Sequence, residues 1–257
     1  MMSWSAPLYR LYERRVQHRL ARASLPAHIG VILDGHRRFA RAEGYADYQD
    51  SYRSGMEKLK EFLAWCAQLD VPVITAWVLS TDNLRRPQAE LDPYFEVLIE
   101  FLGDVPAQSK RLNFSFHVIG SLDLLPPDLV AAAKLAEQDA SGSAFRVNLA
   151  LGYGGRQEIV DATSALVAEL GATGLSVEEV ARSIDAEGIS AHLYTSDLPD
   201  PDLVIRTSGE SRLSGFLLWQ AAYAECVFVD PYWPAFRRVD FLRALRDYGR
   251  RERRFGQ

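Results

Sequence analysis

The stretch HIGVILDGHRRFAR (residues 28–41) decides the fold. Its first six residues form a short apolar run without helical spacing, the pattern of a buried strand. The run stops at Asp34-Gly35, a pair suited to a tight turn. Arg37, Arg38 and Arg41 then follow where a helix opens. A carboxylate at a strand end, a backbone freed by Gly35 and guanidinium groups at a helix amino end make a place for phosphate.

The same strand-then-helix grammar repeats along the chain. VITAWVL (73–79), FSFHVIG (114–120), FRVNLAL (145–151) and LVIRT (203–207) read as further buried strands. Helical spacing covers about 52–69, 88–102, 127–139, 155–170 and 176–186, and a last helix spans about 239–252. Alternation of this kind predicts an α/β fold, a mostly parallel central sheet flanked by helices, with ligands beyond the carboxyl ends of the strands. Residues 8–22 carry apolar side chains near helical spacing with arginines between, so 1–25 is expected to be an N-terminal helical arm and 26–257 a single domain.

Bulk properties narrow the function. The 257 residues are 48% hydrophobic and 25% charged, enough to bury a core without staples. A net charge of −5 gives no reason to expect nucleic acid. No run reaches the roughly 20 apolar residues of a transmembrane segment, and the first residues lack the core of a signal peptide, so a cytoplasmic protein is expected. Cys66 and Cys226 both sit in apolar surroundings and are expected to be buried structural thiols.

Other strand ends carry chemistry too. Ser80, Asn83, Arg85 and Arg86 crowd the end of the second strand, where a polar turn with a capping residue is the plainer reading. The glycines of LGYGGRQE (151–158) do not match the GxGxxG spacing of a dinucleotide site. Arg206 and Arg212 stand six residues apart with Ser208 and Ser214 nearby, and paired guanidiniums suit a diphosphate. Glu225 is a candidate second carboxylate for a metal. Asp197, Asp200 and Asp202 resemble a metal cluster, but prolines at 199 and 201 favour a structural turn.

Taken together these segments resemble the cis-prenyltransferase family, whose best-known members make undecaprenyl diphosphate. The family's DGNxRWA run resembles Asp34 to Ala40, and its S-[ST]-E-N-x-x-R-P run resembles Ser80 to Pro87. Asn148 to Glu158 and Asp200 to Glu225 match two further signatures, the second containing IRTSGE and FLLWQ. Arg254-Phe255-Gly256 resembles a terminal Arg-x-Gly element that in relatives reaches a neighbouring active site across a homodimer.

The resemblance implies a magnesium-dependent prenyltransferase acting on isoprenoid diphosphates. Asp34 would hold Mg2+ with the diphosphate, and Glu225 would help on the acceptor side. Gly35, Arg37, Arg38 and Arg86 would bind the departing diphosphate. Arg206, Arg212 and Ser214 would bind the second substrate's diphosphate. Phe39, Tyr52, Ser80, Asn83, Arg254 and Gly256 fall at other substrate-binding positions. Leu91, Phe95, Leu98, Ile99, Phe101 and Leu102 of the 88–102 helix are candidates for a product tunnel as well as for plain core.

Overall the chain looks most like short-chain actinobacterial members that make C15 products. It departs from the family pattern at His36 (usually Asn), Phe39 (Trp), Tyr52 (His), Asp82 (Glu) and Leu84 (an aromatic). A neutral imidazole can accept a proton where a carboxamide cannot. His36 therefore points to a catalytic base and to irregular head-to-middle coupling, as in lavandulyl-type members such as isosesquilavandulyl diphosphate synthase. The alternative is regular head-to-tail synthesis of a Z-farnesyl-type diphosphate from isopentenyl diphosphate. A non-catalytic subunit of a heteromer is disfavoured because Asp34, Arg38, Arg206, Arg212 and Glu225 are all present.

Overall fold

A computed structural model describes residues 25–250. The arm expected over 8–22 and the tail residues Arg254 and Gly256 lie outside the described residues.

Six strands form one sheet: β1 (His28–Ile32), β2 (Val73–Trp77), β3 (Phe114–Ile119), β4 (Phe145–Ala150), β5 (Leu203–Arg206) and β6 (Glu225–Phe228). Every neighbouring pair is parallel, in the order β3-β4-β2-β1-β5-β6. From β1 the chain adds β2, then the edge strand β3, then β4 between them, and crosses to β5 and β6 on the other side. The carboxyl ends of β2, β1 and β5 thus surround the point where the winding reverses, the usual place for a ligand crevice.

Helices α1 (His36–Glu43), α2 (Gln49–Gln68), α3 (Gln88–Leu112), α4 (Pro127–Asp139), α5 (Gly155–Ala172), α6 (Val177–Ser183), α7 (Ala186–Ala191) and α8 (Arg238–Tyr248) complete the described fold. Alternation along each strand separates two apolar layers. Ile29, Val31, Ile74, Val147 and Ile205 join the larger core with α2, α3, α4 and α8. Ile32, Trp77, Ala150 and Val204 turn to a smaller layer with Tyr153 and Phe216. Phe62, fully buried against Trp233 and Phe241, anchors the larger layer. A side chain of that kind stabilises the fold by about 1.5–3 kcal/mol.

Four expectations need correction. A sixth strand, β6, was not evident, because ECVF is short and half-exposed at the sheet edge. Cys66 is buried, but Cys226 on that edge strand is only partly so. The helix expected over 88–102 continues to Leu112 through Pro93 and Pro106. Burial of Phe101, Leu102 and Val105 outweighs the roughly 3 kcal/mol that an interior proline costs. The 176–186 helix is two short helices, because the Asp185 side chain accepts from the Gly188 N–H and caps a second start. The acidic turn is structural, as expected: Asp202 accepts the Ala27 and His28 N–H groups, and Asp197 pairs with Arg146. No described helix is long and apolar enough to cross a membrane.

Candidate active site

Asp34 follows β1 immediately beyond the sheet, and its position is fixed from several sides. Its N–H donates to Thr207 Oγ1, and its carbonyl accepts from Thr207 Oγ1 and from the Trp233 N–H. The next residue has φ +108°, and a Cβ there would lie 2.7 Å from the Tyr232 ring, so only glycine fits position 35. The chain can then start α1 at once, which brings Arg38 back over Asp34.

Two guanidiniums brace the Asp34 carboxylate. Arg206 Nη2 lies 2.7 Å from Oδ2, and Arg38 Nη2 lies 3.3 Å from Oδ1. Burial pushes this carboxyl up, but the hydrogen bond and charge of Arg206, with Ser208 and Arg38, outweigh it and hold the group below the usual carboxylate range. Asp34 is therefore ionised at neutral pH. Arg206, 5% exposed, also donates Nη1 to Ser214 Oγ at 2.7 Å and to the Arg212 carbonyl. Its Nε is buried without a protein partner. Arg38 further donates to Ser208 Oγ at 2.7 Å and Glu210 Oε1 at 3.0 Å.

These groups open onto a cavity of about 470 Å³, within the usual size range of ligand sites. Arg37, Arg38, Arg41, Arg86 and Arg206 line it against Asp34 and Asp82, so the cavity attracts anions although the chain is acidic. Ile32, Leu33, Trp77, Val78 and Tyr94 give it an apolar side. A diphosphate head with a hydrocarbon tail matches this division of surface.

On the far wall Tyr52 stacks on Tyr94 with ring centroids 4.1 Å apart. The Tyr52 hydroxyl donates to Glu90 Oε1 at 2.9 Å and accepts from Arg86 at 3.3 Å. Ser80 and Asn83 also line the cavity, but each caps the other: Ser80 Oγ accepts the Asn83 N–H, and Asn83 Oδ1 accepts the Ser80 N–H. The capping reading of that turn is therefore right.

His36 lies on the cavity wall, 7% exposed. Burial, helped by the Arg86 charge, lowers its pKa to about 4, so the imidazole is neutral at pH 7. Its Nε2 has no partner and packs onto Gly55, where a Cβ would stand 2.1 Å away.

Three expected positions fall elsewhere. At about 100° per residue, Arg37, Arg38 and Arg41 share one face of α1 and Phe39 takes the opposite one. Its ring meets Tyr45 edge-on at 5.9 Å instead of entering the cavity. The Arg212 side chain is 63% exposed and bonds Glu210, and only its carbonyl reaches Arg206. Glu225 opens β6 level with Leu203 and Ile29, at the amino end of the sheet. That is five residues short of Asp34 along the strand direction, roughly 16 Å. Within this chain the two carboxylates do not meet.

For the apolar residues of α3 the structure shows the plain-core reading: Leu91, Phe95, Leu98, Phe101 and Leu102 are buried in the larger core, with Ile99 packed against it. Tyr94 of the same helix lines the cavity instead. Glu90, Tyr94, Trp77 and Glu210, which line the cavity or pair with its arginines, were not among the expected positions. Glu90 stands four residues after Arg86, a spacing that could have flagged it.

Among the described residues no three His, Cys, Asp or Glu side chains gather as a metal cage. A cation beside Asp34 would have that ionised carboxylate and would take its other ligands from phosphate oxygens and water. Magnesium accepts that arrangement, so the donor set fits it, without Glu225.

Comparisons with known proteins agree with this chemistry. Residues 32–256 match the protein family described as "Putative undecaprenyl diphosphate synthase". The chain is 50% identical over 251 residues to a (2Z,6E)-farnesyl diphosphate synthase of Thermobifida fusca, covering 97% of both chains. It is 48% identical over 260 residues to isoprenyl transferase 1 of Corynebacterium efficiens, covering 100% of each. A lavandulyl diphosphate synthase of Lavandula x intermedia, solved with dimethylallyl diphosphate, superposes with a TM-score of 0.85 at 33% identity, covering 91% of this chain and all of that one. The chain belongs to the undecaprenyl diphosphate synthase family and is a short-chain cis-prenyltransferase.

Proposed function

We propose that this enzyme joins geranyl diphosphate to isopentenyl diphosphate head to tail, forming a Z-farnesyl-type C15 diphosphate. The reading rests on one arrangement: an ionised Asp34 braced by Arg38 and Arg206 at the mouth of a cavity with an apolar side. Relatives named (2Z,6E)-farnesyl diphosphate synthase favour this coupling over the head-to-middle reaction that His36 had put first.

In the reaction the allylic C–O bond breaks and the electron pair leaves with the diphosphate. The alkene of isopentenyl diphosphate attacks the allylic carbon, a C–C bond forms, and C2 then loses a proton. Arg37, Arg38 and Arg86 face the expelled diphosphate and stabilise its charge as it develops. Arg206, fixed by Ser214, orients the second diphosphate. Ile32, Trp77 and Tyr94 exclude water from the carbocation. His36 is neutral and turns Nε2 to Gly55, away from the cavity, and in this reading an oxygen of the expelled diphosphate takes the proton. Magnesium, held by Asp34, would neutralise diphosphate charge as a Lewis acid. A homodimer in the cytoplasm is part of the proposal, supported by the match of Arg254 and Gly256 to the terminal family element.

A second reading, head-to-middle coupling of dimethylallyl diphosphate, is supported by the likeness to the lavandulyl diphosphate synthase. Incubation with magnesium and geranyl plus isopentenyl diphosphate, and separately with dimethylallyl diphosphate alone, separates the two. A linear C15 product made from isopentenyl diphosphate is expected. Turnover of dimethylallyl diphosphate alone, to a branched product, would overturn the head-to-tail assignment.

A further inference from the structure

One acidic side chain directly behind the cavity lining, in contact with Tyr52, Arg86 and Arg37, has no part in the mechanism above. Glu90 lies in the first turn of α3 with its side chain 11% exposed. A single oxygen, Oε1, gathers groups from three other segments. Tyr52 of α2 donates to it at 2.9 Å, Arg86 Nη1 lies 3.2 Å away, and Arg37 Nε of α1 lies 3.6 Å away. Arg86 also donates to the Tyr52 hydroxyl, which closes a three-membered ring of contacts. Burial pushes the Tyr52 phenol far above its ordinary value, so it stays a neutral donor.

We propose that Glu90 is a positioning residue for the allylic substrate, holding Arg86, Arg37 and the Tyr52 ring in the arrangement that receives its diphosphate. The inference rests on the diphosphate reading of the cavity. Long guanidinium side chains lose rotamer freedom when they clamp a ligand, and a fixed carboxylate removes that loss before binding. The Tyr52 ring, stacked on Tyr94, is held by the same hydroxyl, so the polar clamp and the apolar wall are set together.

A plainer role is also open to Glu90, because an acid in a first helical turn favours the helix dipole. Electrostatics alone makes the opposite prediction from positioning. Glu90→Gln removes a negative charge beside two guanidiniums, which by itself strengthens anion binding. Loss of positioning weakens it. The sign of the change in KM for geranyl diphosphate therefore decides.

The experiment compares wild type, Glu90→Gln, Tyr52→Phe and the double variant, with KM and kcat for each substrate and a thermal melt. The inference expects Glu90→Gln to raise KM for geranyl diphosphate about tenfold, the order of one charge-assisted hydrogen bond. KM for isopentenyl diphosphate should stay within about twofold, and Tm within about 3 °C. The double variant should lose less than the product of the two single effects, because both act through one network. A KM for geranyl diphosphate that falls or is unchanged would overturn the inference, as would equal increases for both substrates. Wild-type protein that turns over no prenyl diphosphate would instead overturn the functional reading, and this inference with it.

Discussion

Arg206 Nη2 lies 2.7 Å from Asp34 Oδ2, joining the last residue of β5 to the carboxylate that follows β1. Strand pairing sets this contact, since Ile32 and Arg206 are direct partners in the parallel register. The sheet itself thus brings together two residues 172 positions apart. The pair is an ion pair with a spare donor, because Arg206 Nε is buried without a protein partner.

Arg206→Lys keeps the charge but loses the fork that reaches Asp34 and Ser214 together. It should raise KM for isopentenyl diphosphate at least about tenfold, with a smaller effect on the allylic substrate. Steady-state kinetics with each substrate varied in turn would check this. Equal effects on both would count against separate diphosphate positions.

His28 and His36 give the fold a defined acid sensitivity. Burial lowers each from 6.5 to about 4. Between those values the unfolded chain binds protons that the folded chain refuses. Their contribution is therefore complete above pH 6.5 and is lost as pH falls toward 4, by up to about 3 kcal/mol for each group. Melting temperatures from pH 7.5 to 4.5 should fall, and His36→Asn should flatten the slope. A slope identical to wild type would contradict the shift at His36.

Gly55 is where His36 is packed. A Cβ at 55 would stand 2.1 Å from Nε2, so Gly55→Ala must push the ring aside. Overpacking of this kind costs about 1–3 kcal/mol. Denaturant midpoints should show the loss, and adding His36→Ala should recover most of it. No recovery would place the strain elsewhere.

His36→Asn also bears on the reaction. With diphosphate oxygen as the base, the variant should keep head-to-tail turnover within about tenfold. Product analysis by chromatography would check the rate and the skeleton together. A far larger loss with unchanged KM would make the imidazole the base.

Five of the six strands were legible as short apolar runs ending in turns, and the candidate site residues lie at or just beyond the ends of β1, β2 and β5. Asp34, Arg38, Arg86, Arg206 and Ser214 could be picked from such positions before any coordinates. Other features depend on packing that spacing does not carry. Phe39 sits beside Arg38 in sequence but leaves the cavity because a helix turns by about 100° per residue. Glu225 lies in a matching signature, yet it begins an edge strand whose amino end is remote from Asp34. Glu90 reads as an ordinary acid in a first helical turn until α1 and α2 fold against it.

The most direct test is pyrophosphate release from geranyl plus isopentenyl diphosphate while magnesium is titrated, with wild type and Asp34→Asn side by side. Saturable magnesium dependence, abolition by chelator, and a loss of about a hundredfold or more in the variant at saturating metal are expected. Release that survives chelation, or an Asp34→Asn enzyme as fast as wild type, would contradict it.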